Sequence, residues 1–395
     1  MKQIKIDENV FYVGTNDRKK SLFENNWPLP FGVSYNSYLV ADKHTALIDT
    51  LEYGSKSDYF DTINALLDGR PLDYLIINHL EPDHSSMIGE VMNRYPQVKV
   101  VGSRQCQRLL TSYYSVPEEQ VVEIKDEDIL DLGTHKLSFV MIPWVHWPET
   151  MVTYDTTAKI AFTCDAFGSF GTLDGAIFDD ETDSSKYEDE MRRYYSNIVG
   201  KYSVNVQKAF EKLKDVEIGT ICPSHGLIWR SNPQKVLSLY NKWCNWQSED
   251  GVVIVYASMY GNTEKMADYV ARVLAEEGVR QIRIFDVSKT HPSFILSEIW
   301  KYKGLILGTC AYNGEMHPQM GLLCSELHIS APKNKIVALF GSSTWNGAGG
   351  KALTAFAQQE GFETIAECVQ ISGKAEDGKF AQLEEMAKLF ASKMK

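Results

Sequence analysis

Two kinds of hydrophobic spacing divide the chain. From Val252 onward, short β-branched runs alternate with segments whose apolar residues fall at helical spacing. VVIVYAS (252–258) leads into a glycine-containing turn and then TEKMADYVARVLAEEG (263–278), apolar at every third or fourth position. The succession recurs as a strand-like alternation at 280–287, a helix at about 293–302, LILGTCAY (305–312), KIVALFGSS (335–343), a helix from about 350, ETIAECVQI (363–371) and a last helix. Five strand–helix units in a row predict an α/β fold with a doubly wound parallel sheet. Upstream the pattern is mixed. VFYVG, SYNSYLVA and TALIDT read as strands, helices are expected at about 56–68, 86–95 and 103–115, and further strands lie between and after them. The polar stretch Gln247–Gly251 separates the two regions, which predicts domains at 1–249 and 250–395.

Composition narrows the class. With 44% hydrophobic and 23% charged residues among 395, the chain is ordinary globular protein, not disordered or fibrous. It has no apolar run near the ~18 residues of a membrane span. The opening MKQIKIDENVFYVG carries acids and lacks an apolar core, so no secretory leader and no membrane association are expected. Seven scattered cysteines form no CxxC pair, which excludes zinc ribbons, rubredoxin-type centres and thioredoxin chemistry from this chain and suits a reducing cytoplasm. Basic and acidic residues balance over 251–395, so the whole net charge of −12 lies on residues 1–250. Such a surface repels phosphate backbones, and no nucleic-acid partner is expected.

In a doubly wound sheet, ligands bind beyond the carboxyl ends of the strands. The first such loop is Ser258-Met259-Tyr260-Gly261-Asn262-Thr263, where hydroxyls, a glycine and free helix N–H groups make a phosphate site. It lacks the lysine of a nucleoside-triphosphate loop. An ordinary turn capped by Thr263 would look similar, but two other strand ends add to it. Thr309-Cys310-Ala311-Tyr312-Asn313-Gly314 and Ser342-Ser343-Thr344-Trp345-Asn346-Gly347 put small residues and one aromatic each at the same edge, as a flat heteroaromatic ring requires. Gly347–Ala352 also fits GxGxxA, but it follows the fourth strand rather than the first, so a dinucleotide fingerprint is rejected.

In the N-terminal region a buried strand runs from Asp73 into His79-Leu-Glu81-Pro-Asp83-His84, a tight loop with a helix following at about Ser86. His146, Asp165 and His225 also follow apolar runs, and strand ends in one layered domain converge on one edge. Acids and histidines crowded into one loop repel and desolvate badly without a cation. His44, His135, His291, His317 and His328 sit in no such cluster and read as structural. Four nitrogens and three carboxylates without a thiolate form a harder set than a zinc hydrolase site and suit two redox-active irons.

The loop 258–263 resembles the FMN phosphate loop of flavodoxins, and H-x-E-x-D-H resembles the H-x-H-x-D-H of metallo-β-lactamases, with Glu81 in place of the second histidine. Together with WVHWPETM (144–151), CPSHGLIW (222–229) and VSYNSYLV (33–40), the whole chain resembles the flavodiiron proteins. The resemblance implies an N-terminal metallo-β-lactamase-like αβ/βα sandwich followed by a flavodoxin-like sheet. It implies His79, Glu81 and His146 on one iron, Asp83, His84 and His225 on the other, and Asp165 bridging. FMN would lie on residues 258–263, 309–314 and 342–347, with Tyr312 and Trp345 as stacking candidates. The expected activity is reduction of O2 to water, of NO to nitrous oxide, or both. Electrons would come from an external donor, a rubredoxin-like protein or a reduced deazaflavin. The expected assembly is a head-to-tail homodimer, alone or paired into a tetramer. Tyr194 and Tyr195 read as helix-surface aromatics, the other open role being a hydrogen bond to a bound diatomic. A superfamily hydrolase with an accessory flavodoxin domain, and an FMN electron carrier with an inactive first domain, are the alternatives.

Overall fold

A computed structural model describes residues 3–54 and 58–395. They form two compact units, residues 1–244 and 245–395.

Among the described residues the first unit holds two large sheets, beside the two-stranded pairs Thr15–Asp17 with Val33–Tyr35 and Leu22–Phe23 with Trp27–Pro28. One runs Ile4–Asp7, Val10–Tyr12, Tyr38–Ala41, Thr45–Ile48, Tyr74–Ile76, Lys99–Ser103, Val121–Ile124, antiparallel up to Thr45–Ile48 and parallel beyond. The other runs Ile129–Asp131, Lys136–Met141, Met151–Asp155, Ile160–Cys164, Thr220–Pro223. The sheets pack face to face. Tyr38 reaches across to donate to the Pro223 carbonyl at 2.6 Å, and its ring centroid lies 5.2 Å from that of Phe162. Met151–Asp155 and Ile160–Cys164 are buried along their whole length, as strands covered on both faces must be. Within the second sheet, Lys136–Met141, Ile160–Cys164 and Thr220–Pro223 all point the same way, so the segments that follow them emerge at one edge.

The second unit is a parallel sheet in the order Ile282–Asp286, Glu249–Ala257, Tyr302–Tyr312, Ile336–Ser343, Val369–Ser372. The VVIVYA run is apolar at every position because both faces are covered. Val252, Ile254 and Tyr256 pack with Met266, Val270, Leu383 and Phe390, whereas Val253, Val255 and Ala257 pack with Ile295, Ile299, Leu323 and Leu353. Each fully buried aliphatic side chain contributes about 1.5–3 kcal/mol relative to exposure. The strand order reverses between Glu249–Ala257 and Tyr302–Tyr312, which opens the crevice at their carboxyl ends. The GxGxxA stretch has a packing origin. A Cβ on Gly349 would stand 2.8 Å from the Cys310 carbonyl oxygen and 3.0 Å from its carbon, backbone atoms of the strand Tyr302–Tyr312, so the helix Ala348–Gln359 approaches the sheet closely because that side chain is missing.

Three expectations are corrected in detail. The helix expected after the HLEPDH loop begins inside it: Pro82–Ser85 is already a helical turn with proline at its start, and Ile88–Arg94 follows. Of 363–371 only Val369–Ser372 is strand. This edge segment pairs with Phe340–Ser343 alone, and upstream of it Thr364 makes a single bridge to Val337. The helix expected at 56–68 runs Tyr59–Leu67, and residues 56 and 57 lie outside the described ones.

Candidate functional site

The seven predicted ligands meet. His79 and Glu81 follow the strand Tyr74–Ile76, Glu81 in extended backbone, and Asp83 and His84 ride on the helical turn Pro82–Ser85. His146, Asp165 and His225 arrive from the three co-directional strands of the second sheet. They sort into two groups, His79–Glu81–His146–Asp165 and Asp83–His84–His225, all buried except partly exposed Glu81. Asp165 faces both groups. Its Oδ2 lies 3.3 Å from Nε2 of both His79 and His146, and its Oδ1 lies 2.7 Å from His84 Nε2 and 3.6 Å from His225 Nε2. Glu81 Oε2 stands 3.2 Å and 3.1 Å from His79 and His146, and Asp83 Oδ2 stands 3.4 Å and 3.2 Å from His84 and His225. Donors bound at about 2.1 Å to one ion stand roughly 3–3.4 Å apart, the spacing found here. Both Asp83 oxygens, Asp165 Oδ2 and His225 Nε2 are buried without a hydrogen-bond partner. Such orphaned acceptors are costly unless a cation satisfies them, so the residues fit two metal ions.

The imidazoles are aimed from behind. His79 Nδ1 lies 2.7 Å from fully buried Glu149 Oε1, which also accepts the Leu80 N–H. His225 Nδ1 lies 2.7 Å from the Ser34 carbonyl. Asn36 donates to the carbonyls of Pro223 and Gly226, so the VSYN segment clamps the His225 loop. Such partners fix which nitrogen faces the metal. Sequence reasoning did not single out Glu149, Ser34 or Asn36, although all three lie within motifs that carry the resemblance.

Two further groups face the site. Glu24 sits with φ 49° in the turn between Leu22–Phe23 and Trp27–Pro28. Desolvation and the charges of Glu81, Asp83 and Asp165, opposed by His146, push its carboxyl up to about 7. The surface reading of Tyr194 and Tyr195 is wrong, because both are fully buried. The helix Ser185–Tyr194 runs straight into a wide π turn, Tyr195–Val199, and this stretch is covered on all sides. The Tyr194 ring lies 5.6 Å from that of His225, and Tyr195 packs on Tyr240 and Trp243. His135, read as structural, pairs with Asp155 at 2.6 Å and stays clear of the cluster.

Without metal, protons hold the cluster together. Burial disfavours the charge on His79, but hydrogen bonds to Glu149 and Glu81 and the Asp165 charge override it and raise the imidazole to about 10. Burial likewise opposes His84 and His146, and neighbouring carboxylates raise them to about 9 and about 10. Burial acts to raise Asp165, but the charge and hydrogen bond of His84 and the nearby imidazoles of His146 and His79 hold it well below the usual range. A metal must displace these protons. The histidine contribution to metal-free stability is therefore complete below about 6.5 and lost as pH climbs through 9–10. The melting-temperature gain on anaerobic ferrous loading is expected to grow steadily from pH 6.5 to 9. A gain that shrinks over that range in calorimetry would contradict this.

The second unit carries a cavity of about 510 Å³ at the crevice. Of the predicted flavin contacts, all line it except Gly261, Thr309, Tyr312 and Gly347. Gly261 (φ 86°) and Gly347 (φ 62°) instead start helices, in the left-handed backbone that favours glycine. Thr309 is buried and accepts the His317 N–H, whereas Tyr312 stands in the hairpin with Glu315, its ring 6.0 Å from His317. Trp345 and Tyr260 line the cavity with 82% and 91% of their surface exposed, which leaves broad faces for a ring. Thr263 and Ser342 hydroxyls meet at 2.8 Å across the two walls. Gly373 and Lys374, absent from the sequence reading, complete the lining.

The ODP family beta lactamase profile matches residues 33–226 and the flavodoxin profile residues 254–386. The anaerobic nitric oxide reductase flavorubredoxin of Escherichia coli O1:K1 is 32% identical over 365 residues, 91% of this chain and 76% of the relative. Rubredoxin oxygen:oxidoreductase from Desulfovibrio gigas superposes with a TM-score of 0.95 at 29% identity, over 100% of this chain and 98% of that one. A point mutant of the flavo di-iron protein from Thermotoga maritima superposes with a TM-score of 0.91 at 28% identity, again over 100% and 98%.

Proposed function

The chain belongs to the flavodiiron protein family, and from this we propose that it reduces O2 to water, NO to nitrous oxide, or both, at a non-haem diiron site fed through FMN. The observation that carries the reading is the two-sided placement of Asp165 between two groups of histidines and carboxylates. His79, Glu81 and His146 would hold one iron, Asp83, His84 and His225 the other, and Asp165 would serve both. The cavity of the second unit would hold FMN, with residues 258–263 for its phosphate and residues 309–314 and 342–347, Trp345 among them, for its ring. When bound, two ferrous ions and reduced FMN supply two electrons each, the four that O2 needs, whereas two NO need two.

The protein's own work is positioning and the exclusion of water. Glu149 and the Ser34 carbonyl keep Nε2 of His79 and His225 turned inward. Phe23, Phe170 and Tyr194 wall the His225 side with apolar surface that keeps bulk water out.

An external donor, a rubredoxin-like protein or a reduced deazaflavin, fits a chain without a CxxC pair. Seven free cysteines fit a reducing cytoplasm, and no helix of the described residues is long and apolar enough to cross a membrane. The assembly we propose is a head-to-tail dimer that sets the FMN of one chain against the irons of the other.

Metal analysis with turnover tests the reading. About two irons and one FMN per chain are expected, with gas reduction once reduced donor is supplied and little NADH oxidation without it. Two zincs with no gas reduction after iron loading would favour a hydrolase. FMN with no metal at all would favour an electron carrier.

A further inference from the structure

Lys374 is the cation of the flavin cavity, and we propose that its ammonium group pairs with the phosphate of FMN. The inference rests on the FMN reading and extends it to a strand end outside the phosphate loop.

The physical need is plain. A phosphate monoester carries close to two negative charges at neutral pH. The loop 258–263 offers hydroxyls, amides and backbone N–H groups but no cation. The dipole of the helix Asn262–Glu276 supplies about half a positive charge at its start, which leaves most of the phosphate charge unmatched. Among the described residues that line the cavity, Lys374 is the one with a formal charge.

The backbone around Lys374 is tied to both walls of the cavity. Gly373, at φ 74°, turns the chain as the strand Val369–Ser372 ends, and its N–H donates to the Ser343 carbonyl at 2.8 Å. One residue past Lys374, the Ala375 N–H donates to Asn262 Oδ1 at 3.1 Å. Asn262 opens the helix that begins at the phosphate loop, so Lys374 is carried to the rim over that helix start. The Lys379 ammonium group donates to the carbonyls of Ser372 and Lys374 at 3.2 Å and 3.1 Å and braces the turn. Among the described residues the ammonium group of Lys374 makes no hydrogen bond. Its ion-pair neighbour, Glu376, lies 3.9 Å away, beyond hydrogen-bond range, and both side chains are exposed. An exposed pair at that separation is worth little and yields readily to a dianion.

FMN and riboflavin differ only in the phosphate, so the comparison isolates the pairing. Full-length apoprotein is titrated with each flavin, and binding is read from fluorescence quenching. For K374Q the FMN Kd is expected to rise roughly fivefold to tenfold, while the riboflavin Kd stays within about twofold of wild type. K374R should keep the wild-type FMN affinity. The wild-type FMN Kd should also weaken with added salt, and that of K374Q much less so. Equal loss of both flavins in K374Q would mean a ring contact or a damaged fold and would overturn the proposal. An unchanged FMN Kd with unchanged salt dependence would overturn it too, while leaving the FMN reading intact. Wild-type protein that binds neither flavin would overturn the FMN reading itself, and this inference with it.

Discussion

Asp165→Ala is expected to strip iron from both positions and abolish gas reduction while FMN stays bound. Its two oxygens face different histidine pairs, so one substitution removes an oxygen ligand from each proposed iron. Loss of a partner that only orients a ligand already costs about 10–100-fold in metal affinity, and loss of a bridging ligand costs more at both ions. The four remaining imidazoles would keep only Glu81 and Asp83 as anionic partners among the seven, too little negative charge to hold two divalent cations side by side in a buried site. Activity should fall by at least a hundredfold, with iron well below one per chain. The flavin absorbance should remain, because the cavity lies in the other unit. Full iron content in the variant would refute the bridging role, and coupled loss of FMN would show that the damage is not local.

Two inactive variants should rescue one another when mixed. One carries Asp165→Ala, with irons lost and FMN kept. The other carries Gly261→Val in the phosphate loop, where φ is 86° and a branched side chain is strained, so FMN is lost and the irons are kept. In a head-to-tail dimer each working site combines the irons of one chain with the FMN of its partner. A heterodimer then pairs the sound irons of the second variant with the sound FMN of the first, giving one working site of two. A two-fold contact repeats itself, so the second composite site lacks both cofactors. Activity per heterodimer near half that of wild type is expected after subunit exchange. If electrons passed within a chain, every chain would lack one cofactor and the mixture would stay inactive. Mass-spectrometric proof of heterodimers with no recovered turnover would sink the trans arrangement.

Much of this site was legible before any coordinates. His79, Glu81, Asp83 and His84 stand within six positions of one another, and so many ionisable groups in one loop have few stable explanations besides a cation. The loop 258–263 was equally legible, because a phosphate needs backbone N–H groups at a helix start and the strand-to-helix spacing puts them there. The parallel sheet followed from periodicity, since a strand buried on both faces has to be apolar throughout. Local spacing carries no information about which distant groups share a volume. Glu149 aims His79 from 70 positions away and the Ser34 carbonyl aims His225 from 191, pairings made by two sheets packing together. Nothing in the local sequence connects Glu24 to the cluster, and it is desolvation together with the charges of Glu81, Asp83 and Asp165 that raises its carboxyl. Tyr194 follows a charged helical stretch that looks solvent-facing, and only its neighbours bury it beside His225. Sequence alone therefore determined the chemical identities of the ligands and the class of each unit, because those depend on residue type and short-range period. The tertiary structure brought the seven residues together on either side of Asp165 and set Glu149, the Ser34 carbonyl and Lys374 beside them or beside the cavity, because those placements depend on which strand ends come to lie side by side.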